Sequence, residues 1–215
     1  MIKNAHRQQL LLAQEGQKPL LIKTYTFLPN AQRYVDRLLQ VFLDEIGVSS
    51  LFDTLSFCIR ELVVNAKKAN TKRVFFKRSG LNPDNPEQYL LGMESFKRET
   101  LGQQELYWSL LKEDDLFIKI EFLKWQDTCS VAVRNNVEVL PEELARVRDK
   151  IEKSQRYENL EEAFAEVLDE SEGAGLGILV LIMMLKRLGF WGEFFQFYTM
   201  GGETVARIIL PLTLD

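Results

Sequence analysis

At 215 residues, 46% hydrophobic and 27% charged, the chain has the make-up of one globular domain, or of one domain with a sizeable insertion. Lys and Arg number 27 against 31 Asp and Glu, and a net charge of −4 offers nucleic acid no general positive field. Two cysteines without CxxC spacing, Cys58 and Cys129, and the single histidine His6 supply neither a His/Cys zinc set nor a hydrolase triad.

Residues 1–18 are polar, lack a clean apolar face and have no apolar h-region of a secretory signal, so an N-terminal arm on a cytoplasmic protein is expected. Residues 20–28 alternate through Ile22, Tyr25 and Phe27 to Pro29-Asn30, predicting a strand. Residues 31–46 place Val35, Leu38, Leu39, Phe42, Leu43 and Ile46 at spacings of three and four before Gly47, predicting an amphipathic helix. Ser49-Ser50 offers a cap to a second helix, with Leu55, Ile59, Leu62, Val63 and Ala66 on one face until a break at Asn70-Thr71. Residues 73–78 and 116–125 read as strands, and the turn cluster and two short helices between them form an insertion over about 80–115.

Residues 129–133 read as a further strand ended by Asn135-Asn136, and helices are expected at 141–153 and 160–168. Gly173, Gly175 and Gly177 then open onto an apolar helix, 178–188, too short for a bilayer span and closed by Gly189. Residues 193–199 and 205–210 form a hairpin about Gly201-Gly202. Strands arriving in hairpin-like runs favour an α+β, two-layer α/β sandwich whose mixed, mainly antiparallel sheet has helices on one face, as a single domain over residues 19–215.

Two clusters carry candidate chemistry. Glu61, Asn65 and Lys68 stand at i, i+4 and i+7 and share one stripe of their helix, whose bland alternative is a solvated charged face. A glycine loop feeding a helix presents converging N–H groups to an anion, though Gly173–Gly177 matches neither the dinucleotide fingerprint nor the P-loop and equally suits a helix entry without ligand.

Together these clusters resemble the N-box (Glu61-x-x-x-Asn65-Ala-x-Lys68) and the G2 box (Gly173-Ala-Gly175-Leu176-Gly177) of the GHKL superfamily, which includes gyrase B, histidine kinases and anti-sigma-factor serine kinases. The resemblance implies the Bergerat-type ATP-binding fold. It implies that Asn65 ligates Mg²⁺, that Glu61 acts as general base, and that Lys68 approaches a phosphate. It further implies that Gly173, Gly175, Leu176 and Gly177 cradle the phosphates of ATP, and that Thr204 adds a hydroxyl near the base. At the family's Asp-x-Gly-x-Gly adenine motif, Asn135 replaces the aspartate and Val137 and Val139 replace both glycines, which implies an adenine pocket either reshaped or closed.

The strand, helix and N-box order at the front is more similar to the anti-sigma-factor serine kinases, which bind one partner protein and phosphorylate another. His6 lacks the helical context of a histidine-kinase phosphoacceptor. The first expectation is therefore an ATP/Mg²⁺ domain in signalling, a protein kinase or an anti-sigma-like regulator. A protein partner is expected, with a homodimer among the options and neither nucleic acid nor membrane. The alternative is a non-catalytic module that has lost nucleotide, with Tyr89, Phe96, Tyr107 and Trp108 of the insertion either offering a partner surface or packing onto the sheet. A small molecule other than ATP in the same cleft stays open as a third option.

Overall fold

The computed structural model describes residues 19–158, 161–163, 176–190 and 194–212. The expected arm, Gly173, Gly175 and most of the helix expected at 160–168 lie outside the described residues.

The strands are β1 (Leu20–Thr24), β2 (Ile118–Trp125), β3 (Thr128–Asn135), β4 (Phe195–Met200) and β5 (Glu203–Pro211). They form one sheet of order β1-β2-β3-β5-β4. All four pairings are antiparallel, so the sheet is not the mixed one expected. The helices are α1 (Pro29–Ile46), α2 (Phe52–Ser79), α3 (Pro86–Gly102), α4 (Gln104–Glu113), α5 (Pro141–Arg156) and α6 (Leu176–Arg187), and a 3₁₀ turn at Ser49–Leu51 leads into α2. The described chain is a two-layer α/β sandwich.

Period-two alternation decides which face of the sheet is covered. Ile118, Ile120 and Phe122 of β2, Val131 and Val133 of β3, and Ala206, Ile208 and Leu210 of β5 point into one core with α1, α2 and α6. The opposite face is polar. Register sets Lys119 against Arg134, and Lys119 pairs with Glu203 at 2.7 Å and Arg134 with Glu121 at 3.0 Å. Sequence signals for chain reversal are used as written: Pro29 lies in the first turn of α1, Gly47 caps its end at φ 78°, and Gly201 and Gly202 close the β4–β5 hairpin at φ 61° and 79°.

The largest departure from the sequence expectation is α2. It runs 28 residues without a break at Asn70-Thr71, and residues 73–78, expected as a strand, are its last turns. Thr71 spends its hydroxyl on the Lys67 carbonyl at 2.8 Å within the helix, and Asn70 turns its amide to Phe117 outside it. The apolar run Val74, Phe75 and Phe76 is buried because α3 and α4 close around this end of α2. Phe75 meets Phe96 edge-on at 5.4 Å, and Phe76 stacks on Tyr89 at 5.7 Å.

The insertion thus builds a second hydrophobic cluster containing Tyr89, Phe96, Tyr107, Leu110 and Leu111. Of the aromatic residues considered for a partner surface, Tyr89, Phe96 and Tyr107 are buried, and they pack on the end of α2 rather than on the sheet. Trp108 is half-buried, with the Lys67 ammonium 5.5 Å from its ring centre.

Close approach of α3 to α2 depends on Gly92, where an added Cβ would lie 2.6 Å from two ring atoms of Phe76. The Phe76 ring is fully buried and held by Phe75 and Tyr89, so it cannot yield cheaply. Replacing glycine by alanine inside a helix normally gains about 1 kcal/mol, while overpacking a tight core costs about 1–3 kcal/mol. Gly92→Ala is therefore expected to lower the unfolding free energy in a urea titration, against the helix-propensity trend.

Candidate functional site

The polar stripe of α2 lies where the helix passes beneath α5 and α6. Asn65, Lys68 and Lys72 of that stripe, with Leu62, Ala66 and Ala69 beside them, form one wall of a cavity. Val133 and Asn135 of β3, Thr204 and Ala206 of β5, and Phe197 of β4 form its floor. Glu143, Arg146, Val147 and Lys150 of α5 stand opposite, while Ile178 of α6 and Met93 of α3 complete the rim. Four of the residues singled out in the sequence, Asn65, Lys68, Asn135 and Thr204, therefore meet in one place although three separate segments supply them.

Glu61 does not line this cavity. One turn before Asn65 it reaches the start of α6, where a Cβ placed on Gly177 would overlap its carboxylate oxygen. With glycine at 177 the Glu61 carboxylate can lie directly against the α6 backbone; a larger residue there would have to displace that carboxylate. Leu176 begins α6, which places the last part of the glycine motif beside the stripe of α2.

At the floor, Asn135 is 3% exposed and donates from Nδ2 to Asn70 Oδ1 at 3.0 Å. Its register partner Thr204 donates both its hydroxyl, at 2.7 Å, and its backbone N–H, at 3.1 Å, to the Val137 carbonyl. The Thr204 proton is thus committed to the backbone, leaving its oxygen as an acceptor. Val139 lines the cavity directly. Positive φ at non-glycine residues is confined, among the described residues, to Asp115 and Gln126, so Val137 and Val139 sit in backbone that β-branched residues adopt without strain.

Lys72, only 5% exposed, was not singled out in the sequence, and neither were Arg146 and Lys150. Lys72 donates to Glu143 at 2.7 Å, Arg73 approaches the other carboxylate oxygen at 3.5 Å, and the Leu140 N–H donates to it at 3.3 Å. Burial opposes ionisation of Glu143, but the charge and hydrogen bond of Lys72, with Arg73 and the Leu140 amide, outweigh it and hold the carboxyl below its ordinary value. Arg146 donates to the Tyr89 hydroxyl, linking the insertion to the cavity wall. The lining thus carries four cationic side chains and one carboxylate, a composition suited to an anionic ligand. Burial pushes the Cys58 thiol to about 12 and Cys129 to about 11, so neither is a thiolate nucleophile. No helix is long and apolar enough to cross a membrane, and no cluster of metal-ligating His, Cys, Asp or Glu exists among the described residues.

The chain is 37% identical over 208 residues to an uncharacterized protein of Treponema pallidum (strain Nichols). That match covers 97% of this chain and 40% of the relative, so the chain spans well under half of the relative's length. No family model and no solved structure matches.

The Lys72–Glu143 pair yields a stability test. Lys72→Met leaves a buried carboxylate short of its main partner and is expected to cost about 3 kcal/mol, whereas Lys72→Met with Glu143→Leu is expected to recover most of that loss. Because the folded state depresses the Glu143 pKa, its contribution is complete above the unfolded value of about 4.3 and is lost as pH falls through the lower folded value. The acid-unfolding midpoint of Lys72→Met should therefore move to higher pH, as read by circular dichroism.

Proposed function

We propose that this chain is an ATP- and Mg²⁺-binding domain of the GHKL type acting in signal transduction. The observation that carries this reading is the convergence of Asn65, Lys68, Asn135 and Thr204 on one cavity, with Gly177 packed against Glu61 at its edge. Motif residues from distant segments have no reason to share a cleft if each is an ordinary surface or core position.

The donors present fit the two groups. Mg²⁺ takes few protein ligands and keeps several waters, so the amide oxygen of half-buried Asn65 suffices beside phosphate oxygens. The cations Lys68, Lys72, Arg146 and Lys150 outnumber the one carboxylate of the lining, Glu143, and suit a polyphosphate. Bound Mg²⁺-ATP would supply a phosphoryl group for transfer to water or to a partner's hydroxyl. Asn65 would hold the metal, Lys68 a phosphate oxygen, and Asn135 the base. Glu61, next to the entry of α6, would accept the proton of the attacking hydroxyl.

A second reading, a partner-binding module without nucleotide, is favoured by one feature: the β-branched side chain of Val139 occupies part of the cavity where the resemblance has glycine.

Melting temperature with ATP and Mg²⁺ separates the two. Ligand at 100 times its Kd stabilises by about 2.7 kcal/mol, so millimolar Mg²⁺-ATP is expected to raise Tm by several degrees. Asn65→Ala should remove the Mg²⁺ dependence of that shift, and Glu61→Ala should keep the shift while abolishing phosphate release or transfer. Absence of any shift at millimolar ATP would favour the partner-binding module.

A further inference from the structure

The floor of the cavity ends in two buried amides whose orientation is dictated by a backbone carbonyl. Asn70 of α2 donates from Nδ2 to the Phe117 oxygen at 3.1 Å. A carbonyl oxygen only accepts, so Asn70 must turn its nitrogen to Phe117 and its Oδ1 the other way. That Oδ1 accepts from Asn135 Nδ2 at 3.0 Å, which obliges Asn135 in turn to direct its nitrogen at Asn70.

Reversing either amide would set oxygen against oxygen where Asn70 is 1% and Asn135 3% exposed, leaving buried groups without partners. The anchor does not shift, because the Phe117 N–H donates to Asn136 Oδ1 at 2.7 Å and Asn136 Nδ2 donates to the Asp115 carbonyl at 2.8 Å. Asn135 lines the cavity while Asn70 stands behind it. The Asn135 Oδ1 accepts no hydrogen bond among the described residues.

A carboxylate accepts from either oxygen, but an amide can offer a donor or an acceptor according to a half-turn about one bond. We infer that Asn70 is a positioning residue that removes this ambivalence and makes neutral Asn135 a fixed acceptor, so that the site selects a purine carrying an exocyclic amine over its 6-oxo counterpart. The inference rests on the nucleotide-binding function proposed above and specifies how its base would be chosen. A 6-oxo base brings an acceptor to an acceptor, and a site built to hydrogen-bond a donor group rejects the analogue that lacks it.

The test is binding of ATP and ITP, both with Mg²⁺, by titration calorimetry and thermal shift. The native chain is expected to bind ATP at least about tenfold more tightly than ITP. In Asn70→Ala the amide of Asn135 is free to turn, and the two affinities should come within about twofold of each other. Asn70→Asp still accepts from Asn135 Nδ2 and should preserve the preference, while its melting temperature falls because Phe117 loses its donor. A purely structural role for Asn70 would lower stability in both variants without moving the ATP-to-ITP ratio.

Equal binding of ATP and ITP by the native chain overturns the inference while leaving nucleotide binding intact. A folded Asn70→Ala with an unchanged ratio overturns the role of Asn70. No binding of either nucleotide overturns the proposed function and this inference together. Should Asn70→Ala fail to fold, the native ratio and Asn70→Asp still decide.

Discussion

One long helix sets the terms for the rest of the chain. At about 1.5 Å per residue, α2 extends about 42 Å, farther than a strand of eight residues at about 3.3 Å each can cover. Its first half buries Leu55, Ile59, Leu62 and Val63 against the sheet, but Val74, Phe75 and Phe76 lie beyond that support. Three consecutive apolar residues spread over more than half of a helix circumference and need cover on two sides. The insertion answers that need. α3 and α4 form the second cluster, and through Met93 and the Tyr89–Arg146 bond they also reach the cavity.

The same helix places polar and apolar stripes side by side, and the cavity lies along their border. Leu62, Ala66 and Ala69 give it a partly apolar wall, and Asn65, Lys68 and Lys72 give it polarity. Concentrating cations in a partly buried cleft is costly unless an anion shares it, since desolvation penalises each unpaired charge. Glu143 answers for Lys72 within the chain. Four cationic side chains against one carboxylate leave the lining positive on balance, a character of its composition that does not depend on any motif.

Much of this was legible in the sequence. The strand at β1, the amphipathic α1 with its Gly47 stop, the strands β2 and β3, the β4–β5 hairpin and the helical character of the insertion followed from periodicity and turn residues, whereas the joint placement of Asn65, Lys68, Asn135 and Thr204 was an implication of the motif resemblance alone. Two things were not. Val74-Phe75-Phe76 reads as a strand because a helix covered on two sides loses its 3.6-residue contrast between apolar and polar positions. Asn70 reads as a break because an amide after a polar run is a common terminator. Yet it stands four residues after Ala66 and four before Val74, on the apolar side of the helix, where a polar residue needs a buried partner. The partners, Phe117 and Asn135, are 47 and 65 positions away, and no local pattern names them.

Residues 135–139, where the resemblance alone would place an adenine motif, form a consistent set once their backbone is considered. Glycines at 137 and 139 would be required if the loop after β3 turned through positive φ or passed close behind a ligand. Here it does not take positive φ, and the Val137 carbonyl is instead drawn to Thr204 by two hydrogen bonds, extending the β3–β5 pairing beyond Asn135. A loop held in this way fixes the neighbouring floor residue without a charge. An ionised aspartate at 135 would have to remain desolvated beside Asn70 Oδ1, which can offer it no hydrogen. The neutral amide satisfies that neighbour and still exposes an acceptor. Asparagine at 135 and asparagine at 70 thus support one another through one side-chain bond, and the loop beside them is held through the Val137 backbone carbonyl, so an aspartate at 135 would give up the bond to Asn70 while the hold on the loop would stay.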